Sequence, residues 1–410
     1  MNNNRKNQFK KIKTLVEHAY KNSRFYREYY DSHNFHPNEL KDYEDLKKIP
    51  VVKRQMLKKI SSEDVLTRKN KKNLIVRTTS GSSGIPVSIY LTRFEKFKMY
   101  WGFLRNYLKA GMGIFDKSIA LRDPVDCVPQ TLYQKMGILK HEYYNIFRPI
   151  DDIYEEIKLK NKKIDILKGM PSDLLSLAIV VNEKGNFPPV RIIYSDSEVL
   201  DKSSRQYIEK AFSAKILDFY ATIECGMIAY QNQNNTDGYY INTDFVALES
   251  LNCQKEDKAV VTNLVNYTYP IIRYEIGDVI DFGERCDFSL PVERIDQIHG
   301  KYLDFIILPD KSIVSPHVPK QELTYIKDIK LFKLTQTKID EVNLIIESKH
   351  GLKSEVEKEV LTRMKNAFKN LVKVNLEYVD SFGKVDMKKF KVIESTVAQE
   401  FISEKVNTKF

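Results

Sequence analysis

The chain has 410 residues, of which 42% are hydrophobic and 30% are charged, with only 15 Gly and 14 Pro. This composition is typical of a folded protein of two or three domains, and it excludes disordered and collagen-like chains. The formal net charge is +11, but residues 1–75 alone carry 19 Lys and Arg against 9 Asp and Glu. We therefore expect a solvated basic helix surface at the N-terminus, with binding of a polyanion as the alternative.

Targeting and cysteine patterns point to a cytoplasmic protein. The longest apolar run, around residues 174–181, is shorter than the roughly 18 residues of a membrane-spanning helix. Residues 1–10 are rich in Asn and Lys and lack the apolar core of a secretory signal. The four cysteines show no paired metal-ligand spacing, so we expect free thiols.

Hydrophobic periodicity predicts the elements of the first hundred residues. Apolar residues at helical spacing predict an amphipathic helix over 11–30. A strand, a loop of small residues over 78–84 and a second strand over 87–91 follow. Residues 94–111 have helical periodicity, and we expect most of their aromatic stripe, which includes Trp101, to lie in the core.

Beyond the helix predicted over 94–111, the order of predicted strands and helices changes twice. Short apolar strands alternate with helices up to residue 220, which predicts an α/β part with a largely parallel sheet; the strands are 163–170, 190–194 and 214–220, and the helices are 173–183 and 203–212. Strands without intervening helices then predict an antiparallel or barrel-like part, at 239–247, 258–264 and 271–274. A β-β-α-β order predicts a small final α+β domain, at 329–335, 341–348, 353–368 and 372–378.

The most informative motif is the loop of small residues. Glycines let backbone N–H groups converge on one point, and the flanking hydroxyls add donors, which suits the phosphates of a nucleotide triphosphate. The candidate phosphate-binding residues are Thr79, Ser80, Gly81, Ser82, Ser83 and Gly84. No Gly-Lys-Ser/Thr ends the loop, so it is not the common P-loop. A flexible turn is the alternative interpretation.

Three further motifs carry polar groups suited to a nucleotide. At the end of a strand, Tyr220 can stack on a base and Glu224 can hold magnesium, unless they are a buried Tyr and a surface Glu. Asp278 follows a Gly turn and can accept both ribose hydroxyls, unless it is a simple turn residue. Lys384, in a late Gly-Lys motif, is a mobile charge suited to reach a phosphate from another domain.

In this order the four motifs resemble the core motifs of the adenylate-forming enzymes. Within that superfamily the chain most resembles the phenylacetate:coenzyme A ligase family, particularly its shorter members found with capsular polysaccharide genes. The resemblance covers nearly the whole chain, since further stretches are similar to family patterns, at 23–27, 46–53, 168–172, 195–198 and 298–304.

The resemblance implies the fold and the domain organisation. An α/β protein is expected, with a large N-terminal ATP- and acyl-binding domain over residues 1–303, made of α/β sheets plus a barrel-like part. A small C-terminal α+β domain over residues 304–410 would carry the Gly-Lys motif and swing about Asp304 between two half-reactions.

The resemblance also implies the site residues. Lys384 and Glu224 would be catalytic, with Glu224 as the magnesium ligand and Lys384 bridging the acyl carboxylate and the α-phosphate. Besides residues 79–84, the nucleotide-binding residues would be Tyr220, Thr222, Asp278 and Arg294. The chain departs from the family pattern in three places, with Ile223 instead of a hydroxyl residue, Lys301 instead of Arg and Phe382 instead of a small polar residue.

The implied function is activation of a carboxylic acid by ATP and Mg²⁺ as an acyl adenylate, with release of pyrophosphate. The acyl group would then pass to a thiol, of coenzyme A or a carrier protein, or to an amine. The alternatives are an acyl-protein synthetase of the luminescence type and a non-catalytic scaffold that binds nucleotide or a polyanion. Nucleic acid is not an expected partner. Aromatic residues at 101, 103 and 107 either line an acyl pocket or belong to the core.

Overall fold

The computed structural model describes residues 3–68, 70–78, 87–124, 127, 129–251, 256–283, 292–298, 306–314, 317–324, 326, 328–329, 331–382 and 392–398. The chain forms two compact units. The first unit comprises residues 1–81, 85–111 and 219–300, and the second comprises residues 82–84, 112–218 and 301–410. The boundary predicted between residues 303 and 304 lies outside the described residues and stays a prediction.

Helices occur in both units. The α-helices of the described residues are α1 (Asn3–Asn22), α2 (Arg24–Ser32), α3 (Arg54–Lys59), α4 (Ser62–Val65), α5 (Arg93–Lys109), α6 (Leu132–Lys135), α7 (Ile150–Lys160), α8 (Pro171–Lys184), α9 (Lys202–Phe212), α10 (His317–Thr324) and α11 (Ser354–Ala367). Across the described part of the chain, no helix combines the length and the apolarity needed to cross a lipid bilayer.

Strands of the first hundred and seventy residues are short, and those that follow are mostly longer. They are β1 (Val52–Lys53), β2 (Ile75–Thr78), β3 (Ser88–Leu91), β4 (Lys117–Arg122), β5 (Lys140–Asn145), β6 (Ile164–Gly169), β7 (Val190–Asp196), β8 (Ile216–Thr222), β9 (Gly226–Asn232), β10 (Asn235–Ile241), β11 (Val246–Ser250), β12 (Glu256–Asn263), β13 (Tyr274–Asp281), β14 (Arg294–Ile295), β15 (Gln297–Ile298), β16 (Ile306–Ile307), β17 (Ile313–Val314), β18 (Phe332–Lys338), β19 (Glu341–Glu347), β20 (Lys373–Val379) and β21 (Ile393–Ser395).

The first unit is built from antiparallel strands and the N-terminal helices. Strands β11, β12 and β13 pair antiparallel, and β1 joins the edge of β13 in parallel. Strands β8, β9, β10 and β14 also pair antiparallel. The helix predicted over 11–30 is interrupted at Ser23, whose side chain caps α2 by accepting from the backbone N–H of Tyr26.

The second unit contains the parallel sheet predicted from the alternating pattern. Strands β5, β4, β6 and β7 lie side by side in that order. The apolar run around residues 174–181 belongs to α8, whose residues 171–181 are all buried and which begins with Pro171 at its first turn. The predicted β-β-α-β order is present as β18, β19, α11 and β20, with β21 added beside β18.

Three predictions about the first unit are wrong in detail. The strand expected over 239–247 is two strands, because the chain turns at residues 242–245, where the side chain of Asn242 donates to the carbonyl oxygen of Met227. Residues 271–273 precede β13 instead of lying in a strand, since Arg273 has a left-handed φ of +41°. The aromatic stripe of α5 is only partly buried, and several of its rings face solvent.

Candidate active site

A tight turn between β8 and β9 carries Glu224. Gly226 begins β9 with φ of +71°, a backbone conformation that other residues rarely adopt, so the turn favours glycine. The hydroxyl of Thr222 accepts the backbone N–H of Cys225 at 3.1 Å, which closes the turn. Glu224 is only 4% exposed. The sequence predicted the turn, and the structure adds that its acid is buried.

Tyr220 and Asp278, which are 58 residues apart, contact each other. The phenol of Tyr220 donates to Oδ2 of Asp278 at 2.6 Å. Burial, and then the neighbouring Asp278 carboxylate, raise the pKa of Tyr220 well above its ordinary value, so this hydroxyl keeps its proton and donates. The residues predicted to contact adenine and ribose therefore form a hydrogen-bonded pair, in which Tyr220 orients the carboxylate of Asp278.

A bulge in β13 presents Asp278. Lys258 faces Val279 and Val260 faces Glu275, so residues 276–278 of β13 lie opposite a single residue of β12. Gly277 within this bulge has φ of +93°. Bulges turn a side chain out of the regular alternation of a strand. The predicted Gly turn after a strand is thus a glycine bulge inside a strand.

Two residues that the sequence did not single out support Glu224. The hydroxyl of Tyr274 donates to Oε1 of Glu224 at 3.4 Å, and the side-chain amide of Asn263 donates to the backbone oxygen of Glu224 at 3.0 Å. Burial, followed by the proximity of Glu224, raises the pKa of Tyr274 and keeps it a donor. In the sequence, each of the two appears only as a polar residue in or beside an apolar strand. Many residues with a purely structural role have the same pattern.

Magnesium fits this arrangement as an ion shared with the nucleotide. The described residues contain no cluster of three or more metal-ligating side chains. Magnesium is commonly held by one or two carboxylates together with substrate phosphates and water. A single carboxylate, held in place by Tyr274 and by the turn, matches that type of site and not an all-protein cage.

Arg294 lies on β14, against the β9–β10 hairpin. Its Nη2 donates to Oδ1 of Asn235 at 3.3 Å, while its Nε is buried and has no hydrogen-bond partner. A Cβ on Gly238 would stand 2.7 Å from the backbone oxygen of Ile295 and 3.0 Å from that Nε, so glycine makes room for β14 and its guanidinium. The contact with phosphate or ribose predicted for Arg294 stays a prediction.

The structure describes the two strands on either side of the predicted phosphate loop, but not the remaining predicted site residues. Strands β2 and β3 pair antiparallel, and the hydroxyls of Thr78 and Ser88 lie 2.9 Å apart at the end that leads into the loop. The six candidates at 79–84, the hinge Asp304, and Lys384 lie outside the described residues. Their roles stay predictions.

Helix α5 contributes aromatic side chains beside the β8–β9 turn. Tyr107 contacts Phe219 of β8 edge-on, with ring centroids 4.8 Å apart. Phe103 lies beside Gly226, since a Cβ at that glycine would stand 3.6 Å from Cε2 of Phe103. Trp101 is 49% exposed and does not belong to this group. Two of the three aromatic residues expected either in an acyl pocket or in the core thus pack near the candidate site.

In the second unit, two of the stretches that are similar to family patterns contact each other. The backbone N–H of Ser172 donates to Oε2 of Glu198 at 3.1 Å, and Arg122 forms a bidentate ion pair with Asp196, with Nη1 to Oδ1 at 2.9 Å. Burial lowers the pKa of the neighbouring Lys168 to about 8. The stretches 168–172 and 195–198 therefore form one charged cluster at the carboxyl ends of parallel strands.

Sequence comparison finds relatives over most of the chain. Protein CapK of Staphylococcus aureus is 21% identical over 397 residues, which cover 91% of this chain and 85% of that protein. Phenylacetate-coenzyme A ligase of Escherichia coli is 20% identical over 328 residues, which cover 73% of this chain and 72% of that protein. No protein-family model matches the chain.

Structural comparison finds solved structures with the same fold. 2-Hydroxyisobutyryl-CoA ligase in complex with 2-HIB-AMP and CoA, in the thioesterification state, has a TM-score of 0.65 at 18% identity and covers 99% of this chain and 92% of its own. The same enzyme in the postadenylation state with 2-HIB-AMP has a TM-score of 0.60. The α/β fold class and the resemblance seen in the motifs are thus confirmed, and the chain has the fold of the adenylate-forming ligases and is similar in sequence to phenylacetate-coenzyme A ligases.

Proposed function

We propose that the protein is an AMP-forming ligase that activates a carboxylic acid with ATP and Mg²⁺ and transfers the acyl group to coenzyme A. The observation that carries the proposal is the Tyr220–Asp278 pair in the same unit as the buried Glu224, in a chain with this fold. The relative named above as a phenylacetate-coenzyme A ligase supports a thiol acceptor.

The first half-reaction needs positioning and charge stabilisation more than a protein nucleophile. An oxygen of the substrate carboxylate attacks the α-phosphorus in line, the new O–P bond forms, and the bond to the leaving pyrophosphate breaks. Asp278, fixed by Tyr220, would accept the ribose hydroxyls and so place the α-phosphorus. Glu224 would hold the magnesium ion, which neutralises phosphate charge.

The second half-reaction transfers the acyl group. The thiol sulfur attacks the acyl carbon and loses its proton, the C–S bond forms, and the C–O bond to AMP breaks. Lys384 would bridge the carboxylate and the α-phosphate in the first step only. A swing of the small C-terminal domain about Asp304 would then remove Lys384 from the site and let the acceptor enter. Closure of the site would also exclude water from the acyl adenylate.

The products distinguish this function from its alternatives. With an accepted acid, ATP should yield AMP and pyrophosphate rather than ADP and phosphate, and coenzyme A thiol should be consumed in equal amount. Chromatography of the nucleotides together with a thiol assay measures both. Formation of ADP would contradict the proposed chemistry, and AMP formation without thiol loss would contradict the proposed acceptor.

The Tyr220–Asp278 pair predicts a coupled effect on ATP use. Tyr220→Phe removes one hydrogen bond to a carboxylate and should lower kcat/KM for ATP about tenfold, corresponding to about 1.5 kcal/mol. The effect should largely vanish when Asp278→Asn is already present. Tyr230→Phe, at a buried tyrosine of the neighbouring strand β9, is the matched control and should act independently of Asp278→Asn. Additive effects of Tyr220→Phe would contradict the role of the pair.

The role of Glu224 predicts a changed magnesium requirement. Glu224→Gln retains an oxygen that can accept from Tyr274 but removes the charge, so half-maximal activity at fixed ATP should require about ten times more Mg²⁺. A magnesium titration of pyrophosphate release measures this. An unchanged magnesium dependence in folded Glu224→Gln protein would exclude the ligand role.

A further inference from the structure

Helix α5 carries an exposed aromatic face in the first unit. Its four exposed rings occupy positions three or four residues apart along one side, which are Phe94 (63% exposed), Phe97 (64%), Tyr100 (53%) and Trp101 (49%). Large apolar side chains exposed singly are common on protein surfaces, but contiguous ones mark an interaction site.

The opposite side of α5 is firmly held, so the rings cannot turn inward by rotation of the helix. The carboxylate of Glu95 accepts the backbone N–H groups of Tyr267 and Thr268, both at 2.9 Å. Gly102 lies against the ring of Phe245, since a Cβ on that glycine would stand only 3.1 Å from the ring. Met99 is buried on the same side. The packing therefore fixes the aromatic face toward solvent.

Cations accompany the exposed rings. The Nζ of Lys98 lies 4.6 Å from the ring centroid of Phe94, and the Nζ of Lys96 lies 5.5 Å from that of Tyr100. Arg93 is exposed at the start of the helix, whereas the single acidic residue of α5, Glu95, is buried. The outward face of α5 is thus both aromatic and positively charged.

The basic helix α1 borders the same loops as α5. Lys11 of α1 and Arg105 of α5 both bind Asp244, and His18 of α1 packs edge-on against Tyr267, whose N–H is held by Glu95 of α5. Helix α1 contains six Lys and Arg and one acidic residue. The excess positive charge that the sequence places at the N-terminus therefore lies in the same unit as the aromatic face.

We propose that this surface, the outward face of α5 with Arg93, Lys96 and Lys98 among its rings, binds an anionic phospholipid bilayer. Aromatic rings with Lys and Arg are the side chains favoured at the membrane interface, where rings enter the headgroup layer and cations meet phosphates. A second copy of this chain would bring like charges together, which disfavours self-association through the face. The proposal does not depend on the proposed function.

The single tryptophan of the chain reports directly on this surface, because Trp101 lies within it. On vesicles of phosphatidylcholine containing about one third phosphatidylglycerol, its emission should shift to shorter wavelength, and brominated acyl chains should quench it. Vesicles of phosphatidylcholine alone should give neither effect. Co-sedimentation of the full chain with the same vesicles provides the binding curve.

Paired variants separate the charge from the rings. Lys96→Gln with Lys98→Gln should weaken binding about thirtyfold, since each basic residue near an anionic surface contributes roughly a factor of five. Phe94→Ser with Phe97→Ser should weaken binding at least about tenfold and reduce the Trp101 shift. The matched control, Leu132→Ser with Met136→Ser, alters two exposed apolar residues of the second unit and should leave binding unchanged.

Three results would overturn the proposal. The first is no binding to the anionic vesicles, and the second is binding that leaves the Trp101 emission unchanged. The third is a Trp101 shift produced without lipid, either by raising the protein concentration or by adding RNA, which would assign the face to a second copy or to a nucleic acid.

Discussion

Lys384→Ala is expected to lower the rate of acyl-adenylate formation by about 10²–10³, because a positioned cation that meets charge developing in the transition state typically contributes that much. ATP binding and stability should be nearly unchanged. The measurement is acid-dependent pyrophosphate release by the purified variant. Lys373→Ala, at an exposed lysine on β20, is the matched control and should retain full activity.

The same variant separates the two half-reactions. Since Lys384 is proposed to act only in adenylation, Lys384→Ala protein supplied with preformed acyl adenylate and coenzyme A should form the thioester at nearly the normal rate. Loss of both half-reactions would indicate a general structural defect, and unchanged adenylation would remove Lys384 from the mechanism. Either result would contradict the proposed role of this lysine.

Arg273→Ala is expected to cost about 3–5 kcal/mol of the free energy of unfolding, because it leaves a buried partner charge uncompensated. Nε of Arg273 donates to Oε2 of Glu249 at 3.1 Å, and its Nη1 donates to the backbone oxygens of Lys47 and Ile49 at 3.0 and 2.5 Å. Burial raises the pKa of Glu249, and the guanidinium opposes that shift. One side chain thereby joins the N-terminal segment to β11.

Chemical denaturation followed by circular dichroism measures the effect of Arg273→Ala. Arg24→Ala is a control in the same unit, because Arg24 pairs with Glu28 and Asp64 at an exposed surface. Solvent screens exposed pairs, so this variant should remain close to wild type. Equal denaturation midpoints for Arg273→Ala and wild type would contradict the account of the buried pair.

Local patterns were sufficient to predict much of the fold. Alternating apolar runs and helical periodicity predicted β6, α8, β7 and α9, because strand and helix leave different spacings of buried side chains. The final β-β-α-β order followed from the same signal. Motif order, which is a property of the whole chain, predicted the resemblance that the comparisons confirm.

Long-range partners could not be predicted from local patterns. The aromatic stripe of α5 was expected in the core, but periodicity defines a face without stating which face is buried. Glu95 and Gly102 determine which face of α5 is buried. Glu95 accepts the backbone N–H groups of residues 267 and 268, and Gly102 leaves room for the ring of Phe245. The support of Glu224 by Tyr274 likewise depends on a contact 50 residues away.

The most direct test of acid activation by this protein is pyrophosphate release from ATP and Mg²⁺ across a panel of aryl, fatty, hydroxy and amino acids, with hydroxylamine to trap acyl adenylates. We expect at least one acid to stimulate pyrophosphate release and to yield the matching hydroxamate. Folded protein that releases no pyrophosphate and forms no hydroxamate with any acid of the panel would contradict this expectation.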